Sequence, residues 1–217
     1  LADEEELVPA LRDLGTPAAP DWQPEVIDDS ATHERRERFR PRVEGAFARI
    51  ERVTRTDTPG ATPFWRVTTR DNVTREYGRS AEARVSDPRE GRRVFQWLLE
   101  REYDDRGHVT VYQYAQENDD GVAHTALHEC HRGAEALGAR HLKRVWYGNR
   151  TMYAPGADGS APSLAAEDFF FELVFDYGDH PGSAPTPMPT APWTLRQDAC
   201  SSYRAGFELR AQRLCRR

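Results

Sequence analysis

The densest group of side chains able to bind a metal lies in the middle of the chain, where His124, His128 and His131 come close together and His141 follows. If residues 123–138 formed a helix, the first three histidines would project from one face at positions i, i+4 and i+7, a spacing that can hold zinc. Imidazoles on a polar connecting segment are usually solvated. We therefore predict no metal site and regard His124, His128 and His131 as weak candidates only.

Motifs for nucleophilic or phosphate chemistry are missing from the sequence. It contains no G-x-S-x-G, no Ser-x-x-Lys and no Gly-rich phosphate loop. The run 128–131 departs from H-E-x-x-H because its second histidine comes one residue early. Glu100 and Glu102 form an E-x-E pair, but such pairs are common among 36 acidic residues and are typical of a solvated strand face. The sequence thus predicts a non-enzymatic segment with no catalytic residue and no cofactor.

Two further patterns have a structural and a functional interpretation. Residues 104–107, Asp-Asp-Arg-Gly, lack the alternating oxygen ligands and the closing glutamate of a calcium loop, so we predict a turn in which an aspartate caps its own backbone. Several aromatic residues could line a sugar-binding face, although packing within and between strands is the favoured interpretation. These aromatic residues are Trp97, Tyr112, Tyr114, Trp146, Tyr147 and Trp193.

Composition limits the remaining classes of protein. The 217 residues are 38% hydrophobic and carry a net charge of −6, which argues against a general nucleic-acid or anionic-membrane binder. No apolar run approaches a membrane span, no signal peptide is visible, and the chain begins without Met, so we expect a segment of a longer protein. Cys130, Cys200 and Cys215 are predicted to be buried free thiols, with a Cys200–Cys215 bridge as an unsupported alternative.

Strand signals dominate the elements that must position these residues. Residues 1–40 read as a lead-in with room for one strand, and 47–53 fits either a helix or a strand. From there to residue 217 the pattern is β-rich, with a Pro-rich loop at 180–192 that is expected to be extended. We predict a mainly β fold of antiparallel strands and hairpins with few short helices. The expected strands are 64–69, 73–78, 94–99, 109–114, 142–147, 169–177 and 203–211, with hairpin turns at 70–72 and 104–107.

Taken in order from about residue 40 to the end, the turn and strand motifs resemble the SpvB family. This family comprises the N-terminal region of the Salmonella virulence plasmid B protein and of the B component of insecticidal toxin complexes. Residues 102–109 also read as one YD-like repeat unit. The sequence departs from the family pattern at Asn72, at His108 and at 199–200. The residues that carry the resemblance are Trp97, Asp104, Gly107, Tyr112, Tyr114, Tyr147, Gly148, Asn149, Asp176, Tyr177, Gly178, Arg196, Asp198, Tyr203, Arg204, Gly206, Phe207, Glu208 and Arg210.

The resemblance implies a structural segment of a secreted bacterial toxin or virulence protein, part of an RHS-like β-sheet shell that encapsulates or delivers a toxic domain. The implied partners are an RHS-repeat, C-component-like subunit with its toxic cargo and, further, a pore-forming translocation subunit. Neither nucleic acid nor direct membrane insertion is implied. Two alternatives stay open: a carrier domain N-terminal to an ADP-ribosyltransferase, and a carbohydrate-binding β-module using Trp146 or Trp193.

Overall fold

The computed structural model describes residues 6–45, 47–133, 137–183 and 186–217. Sixteen strands and one 3-10 turn, Ala166–Asp168, make up the regular structure there. The strands are β1 Leu7–Pro9, β2 Leu11–Asp13, β3 Trp22–Pro24, β4 Val26–Asp29, β5 Glu34–Pro41, β6 Arg49–Arg55, β7 Phe64–Thr68, β8 Thr74–Tyr77, β9 Arg84–Asp87, β10 Glu90–Trp97, β11 Leu99–Tyr103, β12 Val109–Gln116, β13 Arg140–Asn149, β14 Phe169–Val174, β15 Cys200–Ser202 and β16 Leu209–Ala211.

Ten of these strands form one antiparallel sheet. Its order is β1-β5-β6-β7-β8-β11-β12-β13-β14, with β4 also paired to β5. Three separate two-stranded sheets, β2-β3, β9-β10 and β15-β16, lie beside it. The mainly β prediction is therefore confirmed. No helix among the described residues is long and apolar enough to cross a membrane.

Both predicted hairpin turns are present, and the local sequence explains them. Asn72 adopts φ 59° between β7 and β8, a left-handed conformation that asparagine tolerates better than most residues. Its side-chain amide donates to the Asp105 carboxylate at 3.0 Å, which joins this turn to the β11–β12 turn. Gly107 supplies φ 84° in the second turn.

A long connection covers one face of the main sheet. After β13 the chain runs back across the strands before it enters β14. Tyr153 and Leu164 pack on the core cluster formed with Val109, Val111 and Trp146. Further along, the carbonyls of Asp158 and Gly159 accept hydrogen bonds from Arg55 and Arg79. We call residues 150–165 the crossing segment. It explains how a single sheet acquires a buried face.

Several strand predictions need correction. The described residues 6–41 hold five strands where the lead-in was expected to have one, because β1 and β4 pair with β5 while β2 pairs with β3. Of residues 47–53, those from Arg49 onward lie in strand β6, so the strand alternative holds there. Of the expected strand 203–211 only β16 is a strand; it pairs with β15 across a turn that uses the positive φ of Gly206. The sequence also gave no indication of β9.

The strand predicted at 169–177 ends at Val174, and its faces differ from those expected. Phe169 is 4% exposed, whereas Phe171 and Leu173 are 56% and 52% exposed. Only Phe169 reaches the covered part of the sheet, because the crossing segment enters β14 at that end. Phe169 packs on Trp146, whereas Phe171 pairs with and stacks on Tyr147, which lies on the opposite face of β13, so the two phenylalanines do not share a face as alternation predicted.

Candidate functional site

The first cluster of family-motif residues locks the turn between β11 and β12. Asp104 Oδ1 accepts from the amides of Arg106 and His108 at 3.0 and 2.9 Å, which confirms the predicted self-capping turn. From β13, Asn149 Oδ1 accepts the Val109 amide at 3.0 Å, and its Nδ2 donates to the Gly107 carbonyl at 2.8 Å. One asparagine side chain thus ties the turn to a neighbouring strand.

The His108 ring adds a further contact at this turn. Its Nδ1 lies 2.8 Å from Asp104 Oδ2. Hydrogen bonds from the His108 side chain and amide hold the pKa of Asp104 below its usual range. Histidine at position 108 is therefore compatible with the turn of the family pattern.

Glycines of the motif allow aromatic rings to lie against the backbone. Gly148 has φ 69°, and a Cβ there would come within 2.9 Å of the Phe171 ring, which itself stacks on Tyr147 with centroids 5.2 Å apart. Gly78 has φ 62°, and its Cβ would meet Trp97 at 2.5 Å. These close approaches explain why glycine stands beside aromatic residues in both places.

The aromatic motif residues Trp97, Tyr112 and Tyr114 stabilise the β-sheet structure. The Trp97 indole donates to the Pro63 carbonyl at 2.9 Å, and the Tyr114 hydroxyl donates to the Leu99 carbonyl at 2.7 Å. Burial raises the pKa of Tyr112, and it raises that of Tyr114 to about 12. Both phenols therefore stay protonated at neutral pH.

The motif Asp176-Tyr177-Gly178 forms a second locked turn, just after β14. Asp176 Oδ1 accepts the Gly178 amide at 2.7 Å, and its Oδ2 pairs with Arg217 at 2.8 Å. Burial alone would raise the pKa of Asp176, but these hydrogen bonds and the guanidinium lower it. Tyr177 is buried, stacks on Trp193 and donates from its hydroxyl to the Leu142 carbonyl. The turn thereby fastens the C-terminal residues to the sheet.

A third cluster joins β15 and β16 to the segment that contains the histidine group. Glu208 accepts from Ser201 Oγ and from Arg132 Nε, the latter at 3.0 Å. Arg210 pairs with Glu129 and also donates to Ser201 Oγ at 3.1 Å. Burial would raise the pKa of Glu208, but Ser201 and Arg132 keep it low. The sequence indicated Glu208 and Arg210 as motif residues but not their partners.

The remaining motif residues are less enclosed. Arg196 pairs with Asp198 through two hydrogen bonds of 2.8 Å. Phe207 is buried, whereas Tyr203 and Arg204 are exposed. The motif residues therefore do not converge on one cleft; they stabilise separate turns and contacts between strands.

The histidine group is spread out rather than assembled. Residues 124–131 form successive turns instead of the helix that a zinc site would need, and 134–136 lie outside the described residues. His124 lies 3.3 Å from Asp119, and His128 lies 3.8 Å from Glu129. Among the described residues no group of three or more possible ligands is found. His141 instead bonds Glu117 at 2.9 Å.

The three cysteines are exposed and free, so the prediction of buried thiols was wrong. No bridge joins Cys200 to Cys215. Cys200 lies in β15 and Cys215 in the C-terminal extension beyond β16, where neither side chain is covered. The buried positions of that region are taken by the charged and aromatic contacts described above.

The aromatic residues considered for sugar binding are mostly engaged in packing. Trp146 belongs to the core cluster, and its indole donates to Glu172 at 3.0 Å. Trp193 stacks on Tyr177 and donates to Asp179 at 3.1 Å. Tyr147 is about half exposed but stacks on Phe171. These contacts favour the packing interpretation.

Sequence reasoning missed a row of charged residues that runs across the covered face of the sheet. Cross-strand pairing aligns one residue from each of five adjacent strands with alternating charge. We call this the charged row; its members are Arg38, Glu51, Arg66, Glu76 and Arg101. Glu51 and Glu76 are buried. The charge of each residue can be read from the sequence, but only the strand register places opposite charges next to each other.

Arg66 is the centre of this row. Its guanidinium bonds both oxygens of Glu34 at 2.8 and 2.9 Å and reaches Glu76 at 3.2 Å. Arg79 adds a contact to Glu76 at 3.1 Å. Burial would lower the pKa of Arg66, but the paired carboxylates raise it well above its usual range. Arg66 therefore remains charged, as a buried ion pair requires.

These features define an all-β protein built on one wide antiparallel sheet with locked turns. A family model described as Salmonella virulence plasmid 65kDa B protein, SpvB, matches residues 1–217. The chain belongs to this family. The match begins at residue 1 rather than near residue 40, so the first strands lie within the family's domain.

Curated relatives share the sequence over most of the chain. Mono(ADP-ribosyl)transferase SpvB of Salmonella typhimurium strain 14028s is 35% identical over 184 residues, which are 82% of this chain and 30% of that protein. The protein of the same name from Salmonella dublin matches equally. The chain thus spans about a third of the length of these relatives.

Solved structures show the same fold. The N-terminal domain of effector protein SpvB from Salmonella typhimurium strain LT2 matches with a TM-score of 0.77 and 31% identity, over 98% of this chain and 65% of that chain. The TcdB2-TccC3-Cdc42 crystal structure matches with a TM-score of 0.77 and 36% identity, over 98% of this chain and 10% of that chain. The chain is therefore similar both to an SpvB N-terminal domain and to a segment of a toxin-complex protein.

Proposed function

We propose that this chain is a non-enzymatic wall segment of a toxin-complex B-component or SpvB-type virulence protein, and that it helps to encapsulate or deliver a toxic domain outside the producing cell. The proposed partners are an RHS-repeat, C-component-like subunit with its cargo and a pore-forming translocation subunit. The similarity over 98% of the chain to a segment of the TcdB2-TccC3-Cdc42 structure carries this proposal.

The exposed area of the chain supports a segment that packs against neighbours. Its accessible surface is 13346 Å². A compact monomeric protein of 24.8 kDa exposes roughly 10,000 Å². The excess of about 3,000 Å² is comparable to the area of a large protein interface. A wide sheet covered mainly by one crossing segment accounts for this openness.

The last strand of the main sheet also supports the proposal. β14 stands at the end of the strand order and presents exposed Phe170, Phe171 and Leu173. Exposed apolar side chains on a terminal strand are a liability in an isolated domain, because they favour pairing with another chain. In a wall, neighbouring polypeptide would cover them.

Electron microscopy tests the wall role. We would image the polypeptide that carries this chain by negative stain, co-expressed with an RHS-repeat partner, and expect closed hollow particles. Phe170→Glu combined with Leu173→Glu should reduce closed particles, whereas Met188→Glu, exposed in the Pro-rich loop, should not. Far-UV circular dichroism would check that both variants fold. Separate compact lobes from the unaltered protein would contradict the proposal.

A second candidate is a carrier domain that precedes an ADP-ribosyltransferase. The 35% identity to mono(ADP-ribosyl)transferase SpvB over 30% of that protein favours it. Labelled NAD would be incubated with the full polypeptide and with this chain alone. Transfer of label by the former and not by the latter would support a carrier. Hollow particles without transfer would favour the wall.

A further inference from the structure

The face of the main sheet opposite the charged row carries a cavity lined by aromatic side chains. Trp65 and Tyr77 alternate with Arg66 and Glu76 of the charged row, so they point to the other face. Strand register places Trp65, Tyr77 and Leu99 in one row across β7, β8 and β11. The cavity has a volume of about 390 Å³, within the range of ligand sites. We call it the aromatic groove; its lining includes Trp65, Tyr77, Phe95, Gln96, Trp97 and Leu99.

Trp97 is fixed in the wall of this groove. Its indole donates to the Pro63 carbonyl at 2.9 Å, and its ring lies against Gly78, where a Cβ would come within 2.5 Å. Trp65 meets Trp97 edge to face with ring centroids 6.3 Å apart, and Phe39 meets Trp65 edge to face at 5.0 Å. Three rings at steep angles therefore make a ridged apolar surface that is formed before any ligand binds. Such preorganisation lowers the entropic cost of binding.

Two hydrogen-bond donors of the groove are free. Among the described residues, the Trp65 indole N–H and the Tyr77 hydroxyl form no hydrogen bond. Neither is a buried unsatisfied atom, so both reach solvent. Burial raises the pKa of Tyr77, so its hydroxyl stays protonated at neutral pH and can donate. Gln96 is exposed and adds a side-chain amide. The groove thus offers donors along an apolar wall.

No charged side chain lines the groove in the part of the chain that the structure describes. Ion pairs on the same face are complete: Arg52, the register partner of Trp65, pairs with Glu37, and Arg75 pairs with Glu102. Sugar hydroxyls donate as well as accept, so a buried sugar needs acceptors around it. Because the lining contains no carboxylate, the groove suits a ligand that mainly accepts hydrogen bonds.

We propose that the aromatic groove is a docking site for a proline-rich segment of a partner polypeptide in the polyproline II conformation. Proline has no backbone N–H, so such a segment presents carbonyl acceptors and apolar rings but few donors. These groups match the free donors and the ridged wall. Polyproline II segments are also ordered before they bind, and they dock in aromatic-lined grooves. This inference goes beyond the wall role and does not depend on it.

The groove residues have separate tasks in this arrangement. The Trp65 indole and the Tyr77 hydroxyl donate to two carbonyls of the segment. Proline rings pack against Trp97 and against Phe95, whose side chain is 45% exposed in the unbound chain. Docking therefore covers an exposed aromatic ring and satisfies two free donors without burying a charge.

Nuclear magnetic resonance of the indole N–H groups provides the first test. The whole chain, which has five tryptophans, is titrated with a capped decaproline peptide. The Trp65 signal, assigned with Trp65→Phe, should shift most because its N–H gains an acceptor. The indoles of Trp146 and Trp193 are already bonded to Glu172 and Asp179, so they are internal controls. A larger shift at either control than at Trp65 would overturn the proposal.

Isothermal titration calorimetry with the same peptide provides the second test. Phe95→Ala should weaken binding about tenfold, because an aromatic contact is lost. Tyr77→Phe should weaken it about fivefold, because one hydrogen bond is lost. The matched controls Phe170→Ala and Tyr203→Phe alter exposed residues of the same types elsewhere and should leave the Kd unchanged. Unchanged affinity in both groove variants, or no binding by the unaltered chain, would overturn the proposal.

Three further measurements separate other occupants. Far-UV circular dichroism checks that every variant folds, so Tyr77→Phe still decides the test if Phe95→Ala does not fold. A capped glycine-serine peptide of the same length and the sugar cellohexaose are titrated in parallel; binding of either as tightly as decaproline would overturn the assignment. Sedimentation equilibrium tests a second copy of the chain. Self-association that is lost in Phe95→Ala would identify that occupant instead and would also overturn the proposal.

Discussion

The two halves of the main sheet are held together by different chemistry on the same covered face. In the first half the charged row places arginine and glutamate alternately opposite each other on β5, β6, β7, β8 and β11. The same row continues across the next three strands through Val111 on β12, Trp146 on β13 and Glu172 on β14. Two of these three side chains are apolar. The change occurs where Tyr153 and Leu164 of the crossing segment pack on the sheet.

The difference shows how register can be specified in two ways. A slip of one strand in the charged half would remove a carboxylate from its guanidinium and leave a buried charge unpaired, which is costly. In the apolar half, a slip would instead move Val111 or Trp146 to the other face and lose buried area. Ion pairs therefore make the first half selective, whereas packing gives the second half its stability.

The largest effect is expected from removing the centre of the charged row. Arg66→Met leaves Glu34 and Glu76 buried without their main partner and should cost about 4 kcal/mol of unfolding free energy. Denaturant unfolding measures this. The matched control, Arg35→Met, breaks an exposed pair with Asp28 and should cost less than about 1 kcal/mol. Equal losses in both variants would show that burial does not distinguish the pairs.

The apolar half is tested by two phenylalanines on one strand. Phe169→Ala removes a core side chain and should cost about 3 kcal/mol. Phe171→Ala, two residues further on β14 but 56% exposed, should cost about 1 kcal/mol or less. Thermal and denaturant unfolding would measure both. If Phe171→Ala were the more damaging, the core would not end where we place it.

Gly78, which follows β8 and lies against the Trp97 ring, tests the packing at the edge of the charged half. Gly78→Ala places a Cβ 2.5 Å from Trp97 at φ 62° and should cost about 2 kcal/mol. Gly91→Ala on β10 has open space and should be neutral within about 0.5 kcal/mol. The difference in denaturation midpoint between these two variants is the readout; no difference would mean that the Trp97 ring moves aside freely.

The smallest effect is expected from mild acid acting on carboxylates of the C-terminal lobe. Although burial opposes it, Glu117 has its pKa lowered by His141 and Arg213, and Asp176 by its amide donors and Arg217. A lowered folded pKa gives stability above the unfolded pKa that is lost as pH falls through the folded value. These groups should therefore contribute less than about 0.5 kcal/mol of loss between pH 7 and 5, with the larger loss below about pH 4. Denaturant unfolding followed from pH 7 to pH 3 would measure both; a larger loss above pH 5 than below pH 4 would contradict this assignment.

Local patterns were sufficient to predict the β7–β8 and β11–β12 hairpins and their turns. The Asp104–Gly107 turn follows from aspartate capping its own backbone and from glycine accepting a positive φ, both properties of adjacent residues. The strand at 109–114 follows from alternating β-branched and aromatic side chains. Family motifs also marked Asn149 and Asp176, but not their distant partners: Asn149 bonds Val109 and Gly107, and Asp176 pairs with Arg217.

The failures have a common physical cause. The exposed Phe171 and the buried Glu34 both depend on what covers a given face of the main sheet. The crossing segment decides this, and its path is not encoded in periodicity. The lead-in strands were missed because short polar strands acquire their pairing from β5 rather than from their own hydrophobicity.

The sequence by itself determined the antiparallel β class, the positions of the β7–β8 and β11–β12 turns and membership of the SpvB family, because these depend on residues close together in the chain. Only the tertiary structure decided that Arg66 meets Glu34 and that Lys143 meets His180. Such pairs join residues far apart in sequence. Their partners are selected by strand register and by the segments that exclude water from them, which no local pattern specifies.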